Sequence, residues 1–168
     1  MLQGNYFTMN VAIIGASGYT GLELIKILIN HPKFNIVYIA NSSGEMNVQD
    51  LHPCLKNVIN IDVSLANASQ VAKVADLAFL ALPHKTAMSF AKELLDLGVK
   101  VIDLSADYRL ELETYEKHYC EHIDKEHIKD AVYGLPEYFK NDIKTAKLIA
   151  NPGCYPTASL LALLPFFD

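Results

Sequence analysis

Features that would assign this chain to a specialised class of protein are scarce or missing. Its 168 residues include only three cysteines, Cys54, Cys120 and Cys154. An odd number of scattered cysteines does not make a disulfide framework and is typical of reduced thiols in a cytoplasmic protein. No apolar segment is long enough to span a bilayer. Residues 1–8 lack the basic and apolar regions of a signal peptide, so we expect a leader or an expression remnant there.

Positive charge is also scarce. The chain has 14 Lys and Arg side chains against 19 Asp and Glu, which gives a formal net charge of −5. This balance offers no reason to expect nucleic acid or a membrane surface as a partner. Hydrophobic residues make up 51% and charged residues 20% of the chain, values typical of a globular domain that buries a sizeable core.

Strand and helix patterns alternate along the chain. Short apolar runs predict strands, whereas apolar residues at helical spacing predict helices. The predicted strands are residues 11–14, 34–40, 76–82 and 99–104, and the predicted helices are residues 22–29 and 86–97. Residues 69–75 fit either pattern, and Gly98 is a good residue to end a helix. The alternation predicts an α/β fold with a doubly wound parallel sheet, a Rossmann-like domain.

A glycine-rich loop joins the first predicted strand to the first predicted helix. Strand, glycine turn and helix are the context that a dinucleotide-binding loop requires. Gly15 allows the tight turn, Gly18 lets the backbone approach a pyrophosphate, and Gly21 lets the helix pack against the strand. The predicted cofactor contacts in this loop are Gly15, Ser17, Gly18, Tyr19, Thr20 and Gly21.

Ligands of doubly wound sheets bind at the carboxyl ends of the strands, so the residues that follow each strand are candidates. Ser42 and Ser43 stand where an acidic residue would hold the ribose of NAD, which favours NADP. Further predicted cofactor contacts follow the next two strands: Leu82, Pro83, His84 and Ser105.

Arg109 brings a fixed cation to the same edge of the sheet. A guanidinium is well suited to bidentate recognition of phosphate. Spacing alone, however, favours a surface ion pair with Glu111 or Glu113.

Cys154 lies in the turn Asn-Pro-Gly-Cys-Tyr-Pro-Thr of residues 151–157, before the apolar run of residues 158–164. If that run is a helix, the cysteine sits in its first turn, where free backbone N–H groups favour a thiolate. The alternative is a buried small apolar residue, which describes most cysteines. The position between a strand end and a tight turn favours a nucleophile.

These elements, in this order, resemble the N-acetyl-gamma-glutamyl-phosphate reductase family of arginine biosynthesis, which is related to the aspartate-semialdehyde dehydrogenases. The matching segments cover most of the chain and are residues 15–21, 80–84, 103–110, 133–137 and 149–158. The resemblance implies an NADPH-dependent reduction of an acyl phosphate to an aldehyde. It also implies that Cys154 forms a thioester and that Arg109 receives the substrate phosphate.

The resemblance further implies the domain organisation. Residues 9–150 would form the NADP-binding domain, and residues 151–168 would begin an α+β catalytic and dimerisation domain that holds the catalytic histidine. Members of the family are expected to be homo-oligomers. Most of the second domain is absent from this sequence, and the exposed apolar run of residues 160–167 favours truncation. We therefore expect this chain to bind cofactor without turnover.

Two other functions fit the same motifs. The chain could be a stand-alone nucleotide-binding module, or a related reductase that acts on a carrier-bound aminoadipyl or glutamyl phosphate.

The sequence offers no convincing metal site. His118 and His122 stand at i and i+4 with Cys120 between them, but a solvated surface segment explains them better than a metal site does. Cys54 has an incidental or structural role.

Overall fold

The computed structural model describes residues 8–167, which form an eight-stranded sheet with helices on both faces. The strands are β1 (Met9–Ile14), β2 (Phe34–Asn41), β3 (Met46–Asn47), β4 (Asp62–Leu65), β5 (Leu77–Leu80), β6 (Lys100–Asp103), β7 (Val132–Tyr133) and β8 (Leu148–Ala150). Their order across the sheet is β3-β4-β2-β1-β5-β6-β8-β7. Every neighbouring pair is parallel except β3 and β4. The predicted doubly wound parallel sheet is confirmed.

Seven α-helices connect or flank these strands within the described residues. They are α1 (Tyr19–Leu28), α2 (Val48–Leu51), α3 (Ala68–Val74), α4 (Thr86–Asp96), α5 (Leu112–His118), α6 (Pro136–Thr145) and α7 (Cys154–Leu163). Short 3₁₀ helices lie at Pro53–Leu55, Ile128–Asp130 and Leu164–Phe166. The ambiguous segment at residues 69–75 is therefore helical, and Asn67 caps it by accepting from the Gln70 N–H at 2.9 Å. Gly98 follows α4 with φ +83°, as the predicted helix end requires.

Two apolar clusters, one on each face of the sheet, form the core. The central strand β1 and its neighbour β5 each contribute four consecutive buried residues, a pattern typical of strands covered on both faces. One cluster packs β1 against α1 through residues such as Ile25 and Leu28. The other packs the sheet against α3 and α4 through residues such as Val71 and Leu94.

The strand order reverses between β1 and β5, because β1 is followed along one direction by β2 and along the other by β5. A crevice opens outside the carboxyl ends of the strands at such a point, and ligands of open α/β sheets bind there. The loops after β1, β2, β5, β6 and β8 all reach this edge.

The apolar run after Cys154 forms α7, which has no buried residue. Its exposed apolar side chains, together with those just beyond it, include Leu161, Leu163, Phe166 and Phe167. Most of this run is exposed as predicted, whereas Leu160 and Leu164 are half-buried. None of the helices within residues 8–167 combines the length and the apolar character that crossing a membrane would need.

Candidate active site

The glycine loop between β1 and α1 has the geometry of a phosphate cradle. Gly15 has φ +93°, and a β-carbon there would overlap the carbonyl oxygen of Ala81. Gly21 lies in the first turn of α1, and a β-carbon there would come 2.7 Å from the Cα of Ala16. Both positions therefore need glycine so that the loop can turn and the helix can pack close to the sheet.

Gly18 differs from these two, because the free chain leaves room for a side chain there. It is the N-cap of α1, and a β-carbon there would meet nothing closer than 3.9 Å. No side chain caps this helix, and no acidic residue lies in its first turn, so the N–H groups of that turn have no side-chain partner. A cradle with free N–H groups at the positive end of a helix suits the pyrophosphate of a dinucleotide. The residues present thus fit such a cofactor.

Asn41 ties the end of β2 to the glycine loop. Its amide nitrogen donates to the Ser17 hydroxyl at 3.0 Å, and its oxygen accepts from the Ser43 and Gly44 N–H groups at 2.8 and 2.6 Å. Ser42 and Ser43 are exposed beside this turn. Their position is compatible with contact to the ribose end of a dinucleotide, and those contacts stay predictions.

His52 contacts the backbone of the glycine loop. Its position beside Pro53 in the sequence did not predict this contact. Its Nε2 lies 2.7 Å from the Ala16 carbonyl oxygen. The ring also lines a cleft of about 380 Å³ that includes Ser17 and Tyr19.

An open groove of about 580 Å³ joins the glycine loop to the cysteine turn. Its lining brings together residues that are far apart in the sequence: Thr20, Leu82, Pro83, Leu104, Arg109, Asn151, Gly153 and Cys154 are among them. The larger cavity of about 680 Å³ lies elsewhere, around Lys147 just before β8. The smaller groove is the better candidate site because it lies at the carboxyl ends of the strands.

Cys154 is the first residue of α7 and is exposed to the groove. Gly153 is the N-cap, and no side chain caps the helix. The backbone N–H groups of Cys154 and Tyr155 therefore lie in the uncapped first turn. This arrangement matches the predicted position of Cys154 at a helix start, and it excludes the alternative of a buried apolar residue.

Arg109 holds the cysteine turn against the end of β6. Its Nε donates to the Asn151 carbonyl oxygen and its Nη2 to the Leu104 carbonyl oxygen, both at 2.7 Å. Within residues 8–167 it pairs with neither Glu111 nor Glu113, and Nη1 has no hydrogen-bond partner. The surface ion pair that spacing favoured is therefore wrong. Arg109 is also the only arginine in the sequence.

Ser105 does not reach the groove through its hydroxyl. The side chain is buried, donates to Asp103 Oδ2 at 2.7 Å and accepts from the Asp107 N–H at 3.0 Å. Its role as a cofactor contact stays a prediction. The two internal bonds argue against it, because they already use the hydroxyl as donor and as acceptor. Burial raises the pKa of Asp103 to about 6, and the hydrogen bonds from Ser105 limit the rise.

The prediction that the segment around His118–His122 is a solvated surface is wrong for His122. His122 and Asp124 are fully buried, not solvated. His122 Nδ1 accepts from the Asp124 N–H at 3.0 Å, which leaves the ring proton on Nε2, 2.9 Å from the Asp107 carbonyl oxygen. Tyr108 donates to Asp124 at 2.8 Å. His118 is exposed, and within residues 8–167 no cluster of three His, Cys, Asp or Glu side chains is arranged to hold a metal ion.

A doubly wound sheet with a glycine loop at its switch point defines a dinucleotide-binding domain, here with a cysteine at the edge of the crevice. Residues 10–146 match the model of the semialdehyde dehydrogenase NAD binding domain. The chain therefore belongs to the semialdehyde dehydrogenase NAD-binding domain family, which confirms the predicted nicotinamide cofactor class.

Curated relatives point to one branch of that family. The chain is similar to the N-acetyl-gamma-glutamyl-phosphate reductases of Wolinella succinogenes, at 58% identity, and of Sulfurovum sp. (strain NBC37-1), at 56%. The alignments cover 93% and 94% of this chain but 46% and 47% of the relatives. The chain thus spans about half the length of the curated relatives it matches.

Solved structures share the fold. Aspartate semialdehyde dehydrogenase II from Vibrio cholerae superposes with a TM-score of 0.69 at 20% identity over 96% of this chain and 43% of that one. Aspartate semialdehyde dehydrogenase with NADP from Candida albicans gives the same TM-score and identity over 94% of this chain and 46% of that one.

Proposed function

We propose that this chain is the cofactor-binding part of an NADPH-dependent N-acetyl-gamma-glutamyl-phosphate reductase. The reaction reduces the acyl phosphate to N-acetylglutamate semialdehyde and releases phosphate. One observation carries the proposal: Cys154, Arg109 and the glycine loop border the same groove at the switch point. A nucleophile, an anion-binding cation and a dinucleotide cradle in one groove are what this chemistry requires.

The preference for NADP rests on the end of β2. Ser42 and Ser43 occupy the turn where an acidic side chain would repel a 2′-phosphate, and both are exposed. Asn41 shapes that turn by accepting from the Ser43 and Gly44 N–H groups. A phosphate there would meet the hydroxyls of Ser42 and Ser43 in place of a carboxylate.

Cys154 supplies the nucleophile. Its sulfur attacks the acyl carbon, the C–O bond to phosphate breaks, and a thioester and inorganic phosphate result. The N–H groups of Cys154 and Tyr155 are placed to stabilise the oxyanion that forms on the way. When bound, NADPH would supply a hydride to the thioester carbon; together with one proton from solvent this would give the aldehyde and restore the Cys154 thiol.

Arg109 receives the phosphate. Two of its nitrogens already hold backbone carbonyls, so the guanidinium is fixed before substrate arrives, and Nη1 remains for an anion. A β-carbon on Gly153 would come 3.1 Å from that nitrogen, so glycine keeps the space open. Because the guanidinium is already ordered before the substrate binds, less entropy is lost when it contacts the phosphate.

We extend the proposal to the organisation of the whole protein. Residues 9–150 bind the cofactor, and residues 151–168 begin the catalytic and dimerisation part, which supplies the general acid–base histidine. The protein acts in the cytoplasm, as a homo-oligomer, on a small molecule. These 168 residues alone bind cofactor without turnover.

A chimera tests the proposal. The chain is joined to the remaining half of the Wolinella succinogenes relative, and NADPH oxidation is followed with N-acetyl-gamma-glutamyl phosphate. We expect phosphate-releasing turnover that falls at least about a thousandfold in the Cys154→Ser variant, as for other nucleophile deletions.

Cys54→Ser is the matched control, because Cys54 is also exposed but lies outside the groove. It should keep the activity of the unmodified chimera. Turnover that survives Cys154→Ser would contradict the proposal.

A further inference from the structure

We propose that Asp107 is a positioning residue that holds the loop of residues 82–85 in the geometry that binds cofactor. The inference rests on the proposed function, since it assigns that loop to the cofactor side of the groove. Leu82 and Pro83 line the groove together with Thr20 and Cys154. Movement of this loop would change the space between the glycine loop and the nucleophile.

Asp107 lies on the next loop, after β6, and reaches across to the start of α4. Its Oδ2 accepts from the Lys85 and Met88 N–H groups at 2.9 and 3.0 Å. No side chain from the helix's own N-cap does this. The carboxylate of a neighbouring loop therefore caps α4, and its charge lies at the positive end of the helix.

The capped backbone is unusual at Lys85. This residue has φ +70°, a positive value that residues other than glycine rarely adopt. Residues in this region persist where surrounding contacts over-determine them. The bond from the Lys85 N–H to Asp107 is such a contact. A second bond joins the same loops, since the Ala106 N–H donates to His84 Nδ1 at 3.2 Å.

Asp107 is itself held at every polar atom. Tyr115 donates to Oδ1 at 2.7 Å, His122 Nε2 lies 2.9 Å from the carbonyl oxygen, and the Ser105 hydroxyl accepts from the N–H. The side chain is fully buried. Burial, followed by the bond to Asp107, raises the pKa of Tyr115, so the phenol remains a donor.

The consequence is a rigid link from β6 to the groove. Asp103, at the end of β6, accepts from the Ser105 hydroxyl, and the same hydroxyl accepts from the Asp107 N–H. The Asp107 carboxylate in turn accepts from the Met88 N–H in the first turn of α4. A buried carboxylate is costly unless all its lone pairs are used. Here Oδ2 accepts from the N–H groups of Lys85, at the end of the loop, and of Met88, in α4, whereas Oδ1 accepts from Tyr115.

The test compares two lost helix caps in this chain. Asp107→Ala removes the cap of α4, and Asn67→Ala removes the side-chain cap of α3, which lies outside the groove. We expect Asp107→Ala to raise the Kd for NADPH about tenfold, because the Lys85 and Met88 N–H groups lose their acceptor. Asn67→Ala should change it less than about twofold, although it also lowers the unfolding midpoint.

Two conservative variants keep the test decisive if Asp107→Ala does not fold. Asp107→Asn retains an oxygen for the N–H groups and should bind NADPH within about threefold of the wild type. Tyr115→Phe removes the bond to Oδ1, together with the 3.8 Å contact of the hydroxyl to Cys120 Sγ, and should raise the Kd about threefold. Equal losses in the Asp107 and Asn67 variants, or wild-type affinity in Asp107→Ala and Tyr115→Phe, would overturn the inference.

Amide hydrogen exchange separates this inference from the proposed function. The Lys85 and Met88 amides should exchange faster in Tyr115→Phe than in the wild type. In Asn67→Ala their exchange rates should equal those of the wild type. If the wild-type chain binds no NADPH, the proposed function fails, and the exchange rates alone then decide: unchanged exchange at both amides overturns the positioning role.

Discussion

The two walls of the groove are built by opposite means. On the β1 side the wall is backbone: residues 15–21 turn through glycines and present uncapped N–H groups at the start of α1, and residues 17–20 are exposed. On the β6 side Leu104 and Arg109 line the groove, and the same segment holds the buried side chains of Asp103, Ser105 and Asp107, which are bonded to one another and to backbone. We call these the backbone wall and the side-chain wall.

The difference shows where each wall is vulnerable. A phosphate needs a close approach to main chain, so the backbone wall fails when a β-carbon intrudes. The side-chain wall must instead place Arg109 and the loop of residues 82–85 relative to each other, so it fails when a buried acceptor disappears. Four further experiments test this contrast, beginning with the largest expected effect.

Gly15→Ala should be the most damaging change to the backbone wall. It combines φ +93° with overlap against the Ala81 carbonyl oxygen. We expect a loss of about 3 to 4 kcal/mol in the free energy of unfolding, measured in urea. Gly98→Ala is the matched control, because φ is +83° but nothing lies within 4 Å. It should cost only about 1 kcal/mol, and equal costs would refute the role of the close approach.

The side-chain wall should show itself in the pH dependence of stability. Burial raises the pKa of Asp103 from its ordinary 3.8 to about 6. Because the folded pKa exceeds the unfolded one, the contribution of this group is present in full below about pH 4 and is lost as the pH rises through about 6. The wild type should therefore lose up to about 3 kcal/mol relative to Asp103→Asn between pH 4 and pH 7. A difference that does not vary with pH would exclude this burial effect.

Gly18→Asp should separate binding from stability within the backbone wall. The position has ordinary φ and open space, and aspartate is a favoured N-cap. We expect the unfolding free energy to rise by a few tenths of a kcal/mol. NADPH affinity, measured by titration, should fall at least about tenfold because a carboxylate competes for the N–H groups. In Gly18→Asn, the uncharged control, the affinity for NADPH should fall less. Unchanged affinity in both variants would show that the loop does not bind the cofactor.

Alkylation rates should give the smallest effect. Cys154 and Cys54 are both exposed, whereas Cys120 is partly covered and lies 3.8 Å from the Tyr115 hydroxyl. Only Cys154 begins a helix of ten residues whose N–H groups attract an anion. Near neutral pH we expect it to react with iodoacetamide about threefold faster than Cys54, by mass spectrometry of peptides. Equal rates would count against an activated thiolate.

The backbone wall was predictable from the sequence because its determinants are local. Strand, glycine turn and helix lie within one stretch of about twenty residues, and each glycine has a distinct geometric reason. The place of Cys154 at a helix start was predictable for the same reason. Four strands, β1, β2, β5 and β6, and the helices α1 and α4 follow from apolar runs and periodicity, whereas β3 and β7 have only two residues each and do not stand out.

The bonds that join the side-chain wall to the rest of the site were not predictable because they connect residues far apart in the sequence. Asp107 binds the Lys85 N–H across 22 positions, and Arg109 binds the Asn151 carbonyl across 42. Around residue 122 the sequence is polar, and polarity normally indicates solvent. His122 and Asp124 are buried here because each finds hydrogen-bond partners that only the folded chain brings together.

Calorimetric titration of the 168-residue chain with NADPH and, separately, with NADH tests the central claim that these residues hold a complete dinucleotide site. The account predicts saturable binding of NADPH with one site per chain, and weaker binding of NADH because Ser42 and Ser43 stand where an acidic residue would hold the ribose. Absence of binding by either dinucleotide would contradict it.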